Sequence, residues 1–283
     1  MSIESLKQRQ NPDGGWPYRR GASWTEPSAY AVLALLAAGE NGAAARGAAW
    51  LRAEQRSDGG FPPQPGVQIS GWTTALAALL PPDLLGRESH ARAIEWLLQS
   101  SGKESTWSYR VRAWLLGGST DSDSGWAWAP NAAAWVGPTA LAVVSLQKEA
   151  ERRTSPRLRE RIALGQRFLM DRMCSGGGWN YGNSRVLDED LRPYPETTGM
   201  ALAALRGETS PRLAQAVGVA AKFLAECRSA DAWNWLRLGL HGHAGLPAEC
   251  LRTARFESRT TPEAALDLLA ANPQSFFGDS HAA

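Results

Sequence analysis

Apolar positions along the chain follow two patterns, and the two alternate. In the first, apolar residues step by three and four along one side: Leu213, Val217, Ala220, Leu224 and Cys227 share a face, with Gln215, Lys222 and Glu226 opposite. Such a stretch predicts a helix with one wet face. Its start is marked chemically, because Ser210 can accept from first-turn amides and Pro211 has no N–H to leave unpaired. Ser155-Pro156 repeats the device, and similar half-wet helices are predicted over about 43–55 and 87–99. The second pattern has no polar side: Ser28 to Leu36, Thr74 to Leu80, Thr139 to Leu146 and Thr198 to Leu205 are apolar all round and rich in alanine. A helix of that kind must be surrounded. Alternation of the two predicts an all-α fold in two concentric layers. The inner spacing is 46 residues from Ser28 to Thr74, so 283 residues hold about six hairpins, enough to close a ring. An open solenoid is the rival, although no polar capping repeat is evident at either end. A last helix is predicted at Pro262–Ala271, with a frayed tail over 273–283.

The turns between these helices repeat as well. Gln10-Asn11-Pro12-Asp13-Gly14-Gly15-Trp16 returns 45 residues later as Gln55-Arg56-Ser57-Asp58-Gly59-Gly60-Phe61. A degraded copy is Gly176-Gly177-Gly178-Trp179, and weaker ones are Ser124-Gly125-Trp126 and Ala230-Asp231-Ala232-Trp233. A structural role accounts for them. The glycines can adopt the left-handed conformation that ends a helix, Gln10 or Gln55 can bond free carbonyls, and the closing aromatic can cover the joint.

Composition narrows the function classes. The net charge is +2 with scattered basic residues, so no stripe tracks a phosphate backbone and nucleic acid is not an expected partner. No run of eighteen apolar residues and no signal-peptide pattern occurs, so a cytoplasmic protein is expected, with membrane-surface contact left open. The odd set Cys174, Cys227 and Cys250 fits reduced thiols. Thirteen tryptophans must be packed, stacked or laid along a cavity.

The stretch Arg46 to Phe61, with its Ala-Ala-Trp-Leu-Arg-Ala-Glu-Gln-Arg-Ser-Asp-Gly-Gly-Phe core, resembles the glutamine-tryptophan repeat of squalene and oxidosqualene cyclases. Only the closing phenylalanine departs. Trp126-Ala127-Trp128 followed by Trp135-Val136-Gly137-Pro138-Thr139 extends the resemblance, which covers residues 2–240 with falling quality. The resemblance to the terpenoid cyclase and protein prenyltransferase repeat family implies one (α/α) toroid over 1–283 with an apolar central cavity. It further implies an isoprenoid-like or other apolar ligand there. The acidic Asp-x-Asp-Asp motif of class II terpene cyclases is missing. Aligned on Ser28 and Thr198, Glu26 and Glu196 take the place of the proton-donating aspartate. Elementary electrostatics opposes that role, since the positive end of a helix favours a charged carboxylate. The zinc ligands of protein prenyltransferases are also missing, and no metal or cofactor is expected. His241 and His243 with Glu249 and Cys250 match no standard zinc spacing and read as a polar turn. Asp188-Glu189-Asp190 reads as a solvated loop paired with Arg185 and Arg192 rather than a magnesium site.

Three functions are consistent with these residues. In the first, Trp24, Trp72, Trp135 and Tyr194, which open inner helices, converge on one end of the cavity and hold an isoprenoid chain or stabilise a cation. If the chain is an enzyme, it is then terpene-cyclase-like, an isomerase or lyase, or prenyl-transferring. In the second, the toroid is a non-catalytic scaffold for a protein or peptide. The third is a glycan-processing (α/α) barrel, for which Glu26, Glu196, Asp121 and Asp123 give no clear carboxylate pair.

Overall fold

The computed structural model describes residues 3–103, 125–243 and 256–278. Helix starts follow from side chains that accept from first-turn amides: Ser155 from Leu158, Ser210 from Leu213, Ser229 from Ala232 and Thr260 from Glu263. At Thr260 the Glu263 carboxylate reaches back to the cap amide and completes a capping box.

The described residues form thirteen helices and one small hairpin. Six helices are walled in: α2 (Thr25–Ala37), α4 (Thr73–Ala78), α7 (Val136–Arg152), α9 (Pro195–Ala204), α11 (Ala230–His241) and α12 (Thr261–Ala271). The others are α1 (Ile3–Gln8), α3 (Asn41–Glu54), α5 (Pro82–Leu85), α6 (Arg87–Gln99), α8 (Pro156–Asp171), α10 (Pro211–Glu226) and α13 (Gln274–Phe277). Strands β1 (Arg185–Val186) and β2 (Glu189–Asp190) pair antiparallel, Arg185 opposite Asp190. The all-α expectation holds apart from that hairpin. Each walled-in helix packs against the next in the order α2, α4, α7, α9, α11, α12, and α12 packs against α2. Outside them, α3 covers α2, α6 covers α4, α8 covers α7, and α10 lies on α9 and α11.

Burial follows the sequence pattern. Every residue of α4 is buried, as are Pro27 to Leu35 of α2, whereas α10 buries only Leu213, Ala216, Ala220 and Leu224. Small residues let backbones touch: Gly199 on α9 lies against the Trp235 backbone of α11, and Gly239 lies back against Gly199. Helix α4 is short because Pro81 and Pro82 cannot continue it.

The repeated turn is one device used four times. The amides of Trp16, Phe61, Trp126 and Trp179 donate to the hydroxyls of Ser28, Thr74, Thr139 and Thr198 at 2.8, 2.8, 2.9 and 3.0 Å. Each hydroxyl belongs to the following walled-in helix, so the turn is pinned to its start. The indoles of Trp16, Trp126 and Trp179 donate to the Leu6, Leu97 and Leu169 carbonyls at 2.8, 2.9 and 2.6 Å, satisfying ends of the preceding helices. Phe61 has no such donor. The side-chain nitrogen of Gln10 donates to Gly14 and Ala43, and that of Gln55 to Gly59 and Ser89. Asp13 accepts from the Gly15 amide and Ser23, and Asp58 from the Gly60 amide and Ser70. Gly14, Gly59, Gly177 and Gly178 have φ of 98, 88, 88 and 75°.

Two expectations are corrected. Ala230-Asp231-Ala232-Trp233 is not a turn but the first turn of α11, capped by Ser229. The tail does not fray at 273, because α13 packs on α2 and buries Phe276 and Phe277. Asp188 and Asp190 are solvated and self-paired as expected, in a small exposed hairpin where Arg185 approaches them at 3.6 and 3.8 Å. Asp121, Asp123, Glu249 and Cys250 lie outside the described residues. No described helix is long and apolar enough to cross a membrane.

Candidate functional site

The start of one walled-in helix is tied to the turn before the next. The amide of Thr25 donates to the Pro63 carbonyl (2.9 Å), that of Trp72 to Trp128 (3.2 Å), that of Val136 to Tyr181 (2.9 Å) and that of Thr261 to Tyr18 (2.7 Å). Each acceptor stands two residues beyond a closing aromatic: Phe61, Trp126, Trp179 or Trp16. These bonds bring the starts of α12, α2, α4, α7 and α9 to one end of the molecule. The start of α11 joins them through Asn234, whose side-chain nitrogen donates to the Glu263 carbonyl of α12 at 3.1 Å.

The aromatic residues picked from sequence all lie on this rim. Trp24 meets Tyr18 edge to face at 5.5 Å, Trp72 meets Trp128 in the same way at 5.0 Å, and Tyr194 tilts over Tyr181 at 5.2 Å. Trp135 lies over Gly182. Of the large apolar side chains exposed among the described residues, Trp128, Trp135, Tyr181, Val186, Leu187, Leu191 and Tyr194 belong to this rim and its hairpin. An open hollow of about 420 Å³ lies among them, lined by Trp135, Tyr181, Leu191 and Tyr194 together with Arg172 and Arg192. Its walls come from the starts of α7 and α9, the hairpin and the end of α8, and none comes from α2, α4, α11 or α12.

Carboxyl groups open four of the walled-in helices at this end: Glu26, Glu196, Asp231 and Glu263. Tyr181, which lines the hollow, donates its hydroxyl to Glu196. The same arrangement recurs three walled-in helices away, at α2, where Tyr18 donates to Glu26. In both, the phenol stands two residues after a closing tryptophan and the glutamate lies in the first turn of the next walled-in helix. The Glu26 carboxyl is raised to about 7, chiefly because burial strips water from its charged form; the Tyr18 hydrogen bond works against this and the Asp231 charge adds to it. Asp231 is raised to about 6, first by burial and then by the charges of Glu196 and Glu263. The expectation that the helix terminus keeps Glu26 charged therefore fails. Its side chain turns to Tyr18 instead of to the amides of α2, which carries no side-chain cap.

Tyr30, one turn along α2 from Glu26, is 2% exposed, its ring meets Trp235 of α11 edge to face, and its hydroxyl is raised by burial and then by the charges of Glu26 and Asp231. Sequence reasoning found Glu26 and Glu196 but missed Tyr18, Tyr30, Tyr181 and Asp231. Trp16-Pro17-Tyr18 set beside Trp179-Asn180-Tyr181 carried the signal for two of them.

The histidines lie elsewhere. His241 stacks on Phe277 and His243 bonds the Leu202 carbonyl at 3.0 Å; burial lowers both. No group of three or more potential metal ligands occurs among the described residues.

No family model and no curated protein matches the chain. A solved structure of a protein from Actinoplanes is similar over 96% of this chain and 99% of that one, at 20% identity and a TM-score of 0.42. A likeness at that score decides neither fold nor activity.

Proposed function

We propose that the walled-in helices form the inner ring of a closed (α/α) toroid of the terpenoid cyclase and protein prenyltransferase repeat type. On this reading, the end where those helices begin binds an isoprenoid-like or other apolar small molecule. The observation that carries it is the gathering of exposed aromatic and aliphatic side chains around the hollow of Trp135, Tyr181 and Tyr194. Apolar surface left in water at one place costs free energy that a ligand recovers on binding. The ligand then lies in an open rim hollow rather than in the enclosed central cavity that the family resemblance implies. If it is turned over, the reaction is terpene-cyclase-like. Glu196, bonded to Tyr181 of the hollow, is then the carboxyl nearest the ligand, while Glu26, the one that holds its proton to about pH 7, stands on α2 outside the hollow's walls. A cytoplasmic location belongs to the same proposal.

Calorimetric titration with farnesyl diphosphate, geranylgeranyl diphosphate and squalene tests the reading. At least one is expected to bind, and Trp135→Ala or Tyr194→Ala to weaken it by about tenfold. Binding by none of them, or equal binding by both variants, would contradict it.

One observation favours a second reading, a scaffold for a protein partner. Leu187, 94% exposed, sits at the hairpin tip with a φ of 50°, so an apolar side chain is both strained and wet. A photo-crosslinking residue at position 187 discriminates: a discrete protein adduct in cells supports the scaffold, and none supports a small-molecule site alone.

A further inference from the structure

The hollow of Trp135, Tyr181 and Tyr194 is not uniformly apolar. Two charged residues line it, Arg172 and Arg192, and no aspartate or glutamate does. They come from separate segments, Arg172 from the cap of α8 and Arg192 from the chain leaving β2. Arg172 holds its guanidinium carbon 5.1 Å from the centre of the buried Phe168 ring, which ties the side chain to one wall. Arg192 makes no hydrogen bond, ion pair or ring contact with a described residue, whereas Asp188 and Asp190 nearby in the chain are approached by Arg185.

Two neutral polar side chains of the lining are already engaged. Asn180 donates to the Asn183 carbonyl at 2.7 Å and accepts from the Gly182 amide at 2.9 Å, and Tyr181 donates its hydroxyl to Glu196. What the hollow offers a ligand is therefore aromatic and aliphatic surface edged by positive charge. A pure hydrocarbon seated there would take water from two cations and return nothing to them, which costs free energy.

We propose that Arg172 and Arg192 receive a carboxylate, so that the ligand of the rim hollow is an amphiphile with one acidic head. This rests on the reading under Proposed function and adds the head group to it. A guanidinium presents its N–H groups as a planar fork that matches the two oxygens of a carboxylate, and such charge-assisted bonds are about twice as strong as neutral ones. The alkyl part then lies against Trp135, Val186, Leu191 and Tyr194. One negative charge suits the place better than two. Asp190 adjoins Leu191 in the chain and Glu196 is bonded to Tyr181, so carboxylates border the lining and oppose a second charge.

The test is titration of the full chain with octanoate, octanol, octylamine and octyl phosphate at pH 7.5 and low ionic strength. Octanoate is expected to bind on the order of tenfold more tightly than octanol or octylamine. Its preference over octanol should shrink several-fold in concentrated sodium chloride. Arg172→Gln and Arg192→Gln should each erase most of the preference, whereas Arg159→Gln, which removes a charge from the opposite end of α8, should keep it. Arg192 is exposed and contacts no described residue, so its variant decides alone should Arg172→Gln fail to fold. Equal binding of octanoate and octanol would overturn the acidic head and leave the apolar site standing. Binding of no ligand would overturn both. A preference that survives in the two arginine variants would overturn this seat, and tighter binding of octyl phosphate than of octanoate would overturn the carboxylate.

Discussion

Glu26 opens a helix, where the amide dipoles favour a carboxylate, and still keeps its proton to about pH 7. Burial outweighs the dipole because the side chain bends to Tyr18 and lies near Asp231, away from the free amides. The sign of the stability effect follows. Below the ordinary value of 4.5 the carboxyl is protonated whether the chain is folded or not; as pH rises through 7 the folded form must ionise it in a site poor in water. Stability is lost across that window. Glu26→Gln cannot ionise, so its stability relative to the native chain is expected to rise by about 1–3 kcal/mol between pH 4.5 and pH 8. Urea unfolding at the two pH values measures this, and parallel pH profiles would contradict it. Glu26 was legible in sequence as a position but not as a state. Its environment comes from Tyr18, Tyr30 and Asp231, which only the folding of three separate segments brings together.

At the scale of elements, the outer helices read correctly because water dictates one face and the periodicity displays it. The walled-in helices read as apolar rods, but their ends were less legible: α7 runs on to Arg152, six residues past Leu146, in a half-wet continuation. Helix α11 was missed altogether. Its opening Ala-Asp-Ala-Trp mimics a worn turn, and its bulk is tryptophan and leucine rather than alanine. Glycine tests the joints between layers. Gly47 of α3 accommodates the Trp16 ring and Val32 of α2; an added Cβ would come within 2.5 Å of each. Gly218 of α10 has open space around it. Alanine suits a helix better than glycine by up to about 1 kcal/mol, so Gly218→Ala is expected to stabilise. Gly47→Ala is expected to destabilise by about 1–3 kcal/mol through overpacking. Denaturant midpoints of the two variants should move in opposite directions, and a shared direction would refute the packing described.

For the whole molecule, alternation of dry and half-wet helices was enough to expect two layers, and about six inner helices followed from the spacing alone. Closure was not legible. It depends on α12 packing against α2 and on the bond from the Thr261 amide to the Tyr18 carbonyl, a meeting of chain ends that no local pattern encodes. A closed ring and an open solenoid differ in how they respond to losing an end. In a solenoid each repeat leans only on its neighbours, so damage stays local; in a ring, taking out α12 strips cover from α2 at the opposite end of the sequence. The decisive measurement is amide hydrogen exchange after deletion of residues 256–283. The proposed ring predicts that Val32, Leu33 and Leu35 of α2 lose their protection along with α11, whereas protection of α2 equal to that of the full chain would contradict closure.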